Sequence, residues 1–284
     1  MRRSLHFQAT PLYLNLSKMT RAHCMAKQPL EPRQHLSNFE AQLVKISKML
    51  ELDKDVISEA IKQLAELKEG MIKADFGNHH HYPTATIDLL EGLIRSGANR
   101  NKYISLFNQS IVLSVSYFSS TISAIFCDSL WNYLNTTKAF PNKLKKKSVK
   151  FSLAELYELN FGFSNELGRM VSRKDNISFQ DTKSIKEAFN DYFNVEIQRD
   201  KNVDNIIAAL SLRHAIAHNS EIIDEKCYNM LEIATNREFI LQPKKDSQIK
   251  INGEELDIIM NSMKIYITSL VEQLEQKTLH ANPF

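Results

Sequence analysis

Glycine and proline are scarce in this 284-residue chain, at 7 each. An average chain of this length carries roughly 20 glycines and about 14 prolines. Sheets and barrels consume both residues in their tight turns, so the shortage points to long helices and few turns. It also leaves little material for a glycine-rich phosphate loop, and neither G-x-G-x-x-G nor G-x-x-x-x-G-K-[ST] occurs. Cysteine is scarce too. Cys24, Cys127 and Cys227 lie too far apart for a disulfide framework or a zinc knuckle. They fit a reducing, intracellular setting, and a cytoplasmic location is expected. Net charge is small, +3 from 36 basic and 33 acidic residues, so overall charge does not announce a nucleic-acid binder. The excess is local. Residues 1–34 hold six basic groups (Arg2, Arg3, Lys18, Arg21, Lys27, Arg33) against the single acid Glu31.

Charge is absent over the 25 residues from Tyr103 to Cys127. That length can span a bilayer. Asn108, Gln109, Thr121 and seven serines interrupt it, whereas a spanning segment is more continuously apolar. An enclosed central helix, with serines allowing close contact, is the expectation, and no membrane partner is expected. Residues 1–34 lack a secretory pattern and read as a flexible basic arm.

Helical periodicity dominates the rest. Ser37 with Glu40 forms a capping-box pattern ahead of Phe39, Leu43, Ile46 and Leu50. Asp53 or Asp55 is expected to start a second helix, ending at Phe76-Gly77. A short helix over 86–95 stops near Gly97. The long uncharged helix is followed by a loop over 135–150 with six lysines and no acid. Further helices are expected over 152–172, broken near Gly162, and over 182–193, 204–219 and 226–235. The β-prone runs 238–242 and 248–251 suggest a small hairpin. A last helix covers about 254–277. The fold class is therefore all-α, with a minor hairpin before the C-terminal helix.

Chemistry concentrates in residues 212–219, where Arg213, His214, His218 and Asn219 share a helix that is otherwise apolar (Ile206, Ile207, Leu210, Ile216). His214 and His218 are four apart and share a face, as zinc ligands do. Position 215 is Ala rather than the Glu of H-E-x-x-H, and no third ligand is near in sequence, so no metal is assigned. His79-His80-His81 reads as a solvated loop. Arg213 is permanently cationic and suits phosphate. His218 can hold or release a proton near neutral pH. Together they suffice for attack on RNA by its own 2′-hydroxyl, the histidine moving protons and the arginine stabilising charge. On an ideal helix the two lie about 140° apart. They converge only if the helix loosens near Asn219 or if two copies of it meet.

The arginine–histidine spacing resembles the R-x4-6-H signature of the HEPN superfamily, all-helical proteins many of which are metal-independent endoribonucleases. The surrounding order resembles the RiboL-PSP-HEPN branch: a long apolar helix with an aromatic pair, here Tyr117-Phe118; a segment like Ile177–Ile185; the motif helix; a hairpin; and a terminal helix. The resemblance covers roughly 100–277. It implies a HEPN-like helical domain over 98–284, with 35–97 an added helical lobe and 1–34 the arm. It implies catalysis by Arg213 and His218, supported by His214 and Asn219, at a composite site where the motif helices of a homodimer face each other. Lys143, Lys145, Lys146 and Lys147 are candidates to grip RNA backbone. No cofactor is implied. The expected role is a toxin or antiviral-defence effector, with a sensor, antitoxin or ATPase as candidate partner protein. The alternative is a non-catalytic HEPN-type module binding nucleotide or a partner protein. Two departures stand out. Related branches often carry an acid after the aromatic pair, where this chain has Ser119. Some toxins carry a tyrosine two residues after the histidine, where this chain has Ser220.

Overall fold

Proline at the first helical position is pre-organised for helix and lacks only an N–H that would find no partner there. In the computed structural model, which describes residues 31–74, 83–95, 100–136, 148, 150–158 and 166–280, α1 begins at Pro32 and runs unbroken to Lys73. The two helices expected over this stretch are therefore one. No Gly or Pro lies between Arg33 and Glu69, so Asp53 and Asp55 are carried within the helix rather than capping a new one. Ser37 and Glu40 likewise sit inside α1, and residues 32–34, assigned above to the arm, form its first turn.

The remaining helices among the described residues are α2 (Thr84–Arg95), α3 (Arg100–Thr136), α4 (Leu153–Glu158), α5 (Leu167–Lys174), α6 (Thr182–Phe193), α7 (Lys201–His218), α8 (Glu225–Ile233) and α9 (Gly253–His280). The protein is all-α. The arm over 1–30, the helix stops at Phe76-Gly77 and Gly97, the break at Gly162, the histidine run 79–81 and Lys143, Lys145, Lys146 and Lys147 lie outside the described residues.

Helix α3 is the axis of the bundle, and α1, α5, α6, α7 and α9 pack around it. Tyr103–Leu134 is long and apolar enough to cross a membrane by length and composition alone, and half of its most apolar window is buried among the other helices. Ile111, Val115, Phe118, Ile122, Ile125, Phe126 and Leu130 join Phe39, Leu43 and Ile46 of α1 in one core with α7 and α9. The first half of α1 thus belongs to the main core. Helix α1 also packs with α2, and from its middle onwards it leaves Leu52, Val56, Leu67 and Ile72 exposed.

Polar contacts fix the helix ends. Arg33 donates a two-pronged pair to Glu275 of α9, at 2.6 and 2.7 Å. The buried His35 meets Asp128 of α3 at 2.8 Å. Asp181 caps α6, accepting from the N–H groups of Lys183 (3.2 Å) and Ser184 (3.1 Å). Asp200 caps α7 one turn earlier than expected, accepting from Val203 N–H at 2.9 Å. Gly168 lets α5 close onto α3, because a Cβ there would overlap the backbone of Cys127.

The hairpin is not formed. Arg237, just before the first run, buries its guanidinium between the end of α8 and that run, donating to the carbonyls of Leu231 and Ala234 on one side and of Ile240 on the other. A backbone wrapped around a side chain in this way cannot extend into a ladder. The second run pairs with the exit of α7 instead, in a single antiparallel bridge between Ile222 and Gln248. Ile249 N–H donates to the Glu221 carbonyl at 2.7 Å and Ile223 N–H to Ser247 at 3.0 Å.

Candidate functional site

Polar side chains at the two ends of α7 are treated in opposite ways. Near the N-terminus the buried polar side chains are satisfied inside the fold. The fully buried Asp204 accepts from Arg199 Nε at 2.7 Å and from Asn236 N–H at 2.9 Å. Asn205 donates to Ser262 Oγ at 3.0 Å and accepts from Glu238 N–H at 2.8 Å. These bonds tie α7 to α9 and to the turn after α8. In the last turns, Arg213, His214 and His218 make no hydrogen bond or ion pair with any described residue. Arg213 and His214 are half-buried and His218 is exposed. An arginine that packs its stem against the fold while its guanidinium stays unpaired is available to an external anion.

The backbone between them is regular. Helix α7 continues to His218, and Asn219 N–H still donates to the Ala215 carbonyl at 2.9 Å. No loosening turns Arg213 towards His218. Instead the rings of His214 and His218 lie with centroids 5.0 Å apart, tilted by 53°. His214 therefore stands between Arg213 and His218. Asn219 has a different job: its Nδ2 donates to the Ile222 carbonyl at 2.8 Å and closes the turn that carries the chain to the Ile222–Gln248 bridge.

Arg213 and His214 line a groove of about 430 Å³, while His218 lies outside it. The groove runs between α3, the start of α6, α7 and α8. Val115, Ile207, Leu210 and Met230 form an apolar floor. Helix α3 adds Ser116, Ser119 and Ser120, the start of α6 adds Gln180, Asp181 and Thr182, and α8 adds Lys226. Asp181 is the one carboxylate on the lining, and its oxygens are engaged in capping α6. Lys226 is exposed and, among the described residues, has no ion-pair partner. The groove therefore favours an anionic ligand with an apolar part.

Ser119 lines this groove, and its buried hydroxyl has no hydrogen-bond partner among the described residues. Sequence reading missed Gln180, Asp181, Ser119, Ser120 and Lys226 as site residues. The Ile177–Ile185 segment was singled out only as part of an order of elements, and Lys226 carries no local signal at all. Among the described residues no group of three His, Cys, Asp or Glu side chains comes together.

The chain matches no protein-family model, no curated protein and no solved structure.

Proposed function

We propose that the protein is a metal-independent endoribonuclease of the HEPN type, acting as a toxin or antiviral-defence effector. The observation that carries this reading is the trio Arg213, His214 and His218, without a hydrogen bond or ion pair among the described residues, at the end of a helix whose buried polar groups Asp204 and Asn205 are satisfied. A fold that leaves an arginine and two imidazoles unpaired beside a groove has the parts for phosphate chemistry. The imidazole of His218 takes the proton of the RNA 2′-hydroxyl as its oxygen attacks the neighbouring phosphorus. Arg213 stabilises the negative charge that builds on the phosphoryl oxygens. The 5′-oxygen leaves as it takes up the proton that the His218 imidazolium now carries, giving a 2′,3′-cyclic phosphate and a 5′-hydroxyl and restoring the neutral imidazole.

A regular α7 favours a site shared by two chains. Arg213 faces the groove and His218 does not, so one chain alone presents them on different surfaces. A two-fold pairing of the α7 ends brings each Arg213 towards the partner's His218 through one self-complementary patch. His214, against His218 and beside Arg213, positions the pair. Asn219 supports it indirectly by holding the turn that ends α7.

The test is incubation of the purified protein with total RNA in the presence of EDTA. Cleavage fragments ending in cyclic phosphate are expected. His218→Ala should slow cleavage by about 10²–10⁴-fold, the usual worth of a positioned acid–base. Activity that vanishes on chelation and returns with zinc would transfer the site to a His214/His218 metal centre. A wild-type protein inert towards RNA would favour the second reading, a non-catalytic module that binds nucleotide. That reading draws on the groove, which is built without His218.

A further inference from the structure

We propose that the groove between α3, α6, α7 and α8 is a nucleotide subsite that holds one nucleoside phosphate unit, with its phosphate on Lys226 and Arg213 and its base on the aliphatic floor. This deepens the ribonuclease reading by naming where the substrate sits next to the scissile bond, and it rests on that reading only for the ligand being part of a strand.

The groove has the size and the mixed character of a small-ligand site, about 430 Å³ with an apolar floor and a polar rim. Its two cations come from different helices, Arg213 from α7 and Lys226 from α8, and neither is paired with a carboxylate among the described residues. A planar guanidinium and a point-charge ammonium facing one cleft suit phosphate oxygens, which accept from both. The facing wall is a run of α3 serines, Ser116, Ser119 and Ser120, of which Ser119 has its hydroxyl buried without a partner among the described residues. On the same wall the exposed Ser120 hydroxyl can donate to a ribose hydroxyl or phosphate oxygen entering the groove. Val115, Ile207, Leu210 and Met230 offer apolar contact with no strong hydrogen-bonding group, so base binding there is tolerant. Gln180, the one side-chain amide on the lining, offers a donor and an acceptor to a base edge. A simple oxyanion would use the cations and leave the floor empty. A nucleoside phosphate uses both.

The experiment uses the full chain and an uncleavable probe, a fluorescein-labelled 2′-O-methyl oligouridine, with binding read by anisotropy across a potassium chloride series. Uridine 5′-monophosphate and inorganic phosphate serve as competitors. Lys226→Ala should lower the slope of log affinity against log salt by about 0.7, the loss of one phosphate contact to a single strand. Ser120→Trp should fill the groove and weaken binding about tenfold or more. Ser105→Trp, on an exposed position of α3 outside the groove, should change it less than twofold. Circular dichroism melts confirm that each variant is folded. Competition by uridine monophosphate shows that a free unit is accepted, whereas response to the variants without such competition shows a subsite filled only from a strand. Inorganic phosphate competing as well as the nucleotide would overturn the role of the floor. Unchanged binding in both Lys226→Ala and Ser120→Trp would overturn the subsite even if RNA is cleaved. Variant-sensitive binding by a protein that cleaves nothing would leave the subsite standing while the ribonuclease reading fell.

Discussion

Truncating Phe126 should loosen α6 before anything else. Phe126 is fully buried on α3, and four rings surround it: Phe179, Phe189, Tyr192 and Phe193, with centroids 5.5, 5.7, 5.3 and 5.5 Å away. Three of these belong to α6, and Phe179 lies in the segment just before it. Replacing a core phenylalanine by alanine costs about 3–5 kcal/mol, and the cost rises with the cavity that remains. Four edge-on or tilted ring pairs are lost at once, each worth about 0.5–1.5 kcal/mol beyond buried area, so the upper part of that range, about 4–5 kcal/mol, is expected. Phe126→Leu keeps much of the apolar volume but forfeits the ring pairs, a loss of about 2 kcal/mol at the low end of their worth. Urea unfolding followed by circular dichroism gives both values, provided the slope against denaturant is unchanged. Hydrogen exchange should report the loss first in the amides of α6. The same helix start supplies Gln180, Asp181 and Thr182 to the groove, so Phe126→Leu should also weaken oligonucleotide binding. A Phe126→Ala cost below about 1.5 kcal/mol, less than half the usual range, would refute the view that this ring cluster anchors α6.

Gly168→Ala should destabilise by about 1–3 kcal/mol or more in the same unfolding assay, because the new methyl meets the backbone of Cys127, which cannot step aside as a side chain does; a neutral substitution would mean that α5 and α3 are not in close contact. Glu155 should titrate low. The Lys174 ammonium at 2.6 Å, then the Ser152 N–H at 2.7 Å and hydroxyl at 2.9 Å, pull its carboxyl down to about 2. A carboxyl lowered in the folded state contributes stability above its ordinary value of about 4.3, and that contribution fades as pH falls towards 2. An NMR titration should therefore place Glu155 near 2 in the wild type and part-way back in Lys174→Met; a wild-type value in the ordinary range would refute the tether between α4 and α5. Arg213→Lys should cleave RNA almost as poorly as Arg213→Ala, because an ammonium lacks the planar fork, and near-normal turnover would mean that charge alone suffices. His214→Ala should fall between wild type and His218→Ala; equal loss at both positions would exchange their roles.

Helix α6 was legible in full because its signals agree: Asp181 is a strong cap, and Ile185, Ala188, Phe189 and Tyr192 follow one buried face. Helix α7 was read one turn short, since Asp204 resembles a cap while Asp200 is the one that accepts from Val203 N–H. In α1 the Ser37–Glu40 pattern is a start signal embedded in a helix that Pro32 had already begun, and local capping does not override helix-favouring neighbours on both sides. The hairpin failed for a tertiary reason. Arg237 reads as an ordinary charged residue just before a β-prone run, and only the fold shows its guanidinium buried against main-chain carbonyls. Arg213, His214 and His218 stand out in the sequence as candidates because they are polar groups on an apolar helix. Their surroundings do not. Ser119, Gln180 and Lys226 lie on three other elements, far apart in sequence, and meet only when α3, α6 and α8 pack against α7.

The central claim is a ribonuclease site shared between two copies of α7, and subunit mixing tests it most directly. Arg213→Ala and His218→Ala chains, each inactive alone, are combined and allowed to exchange. In a mixed dimer one site lacks both groups, while the other joins the intact Arg213 of one chain to the intact His218 of its partner. Random exchange places half of the chains' dimers in this state, so recovery to about one quarter of wild-type RNA cleavage is predicted for a two-fold composite site. A mixture as inactive as its parents, or a wild-type protein that cleaves RNA as a monomer in light scattering, would contradict the composite site.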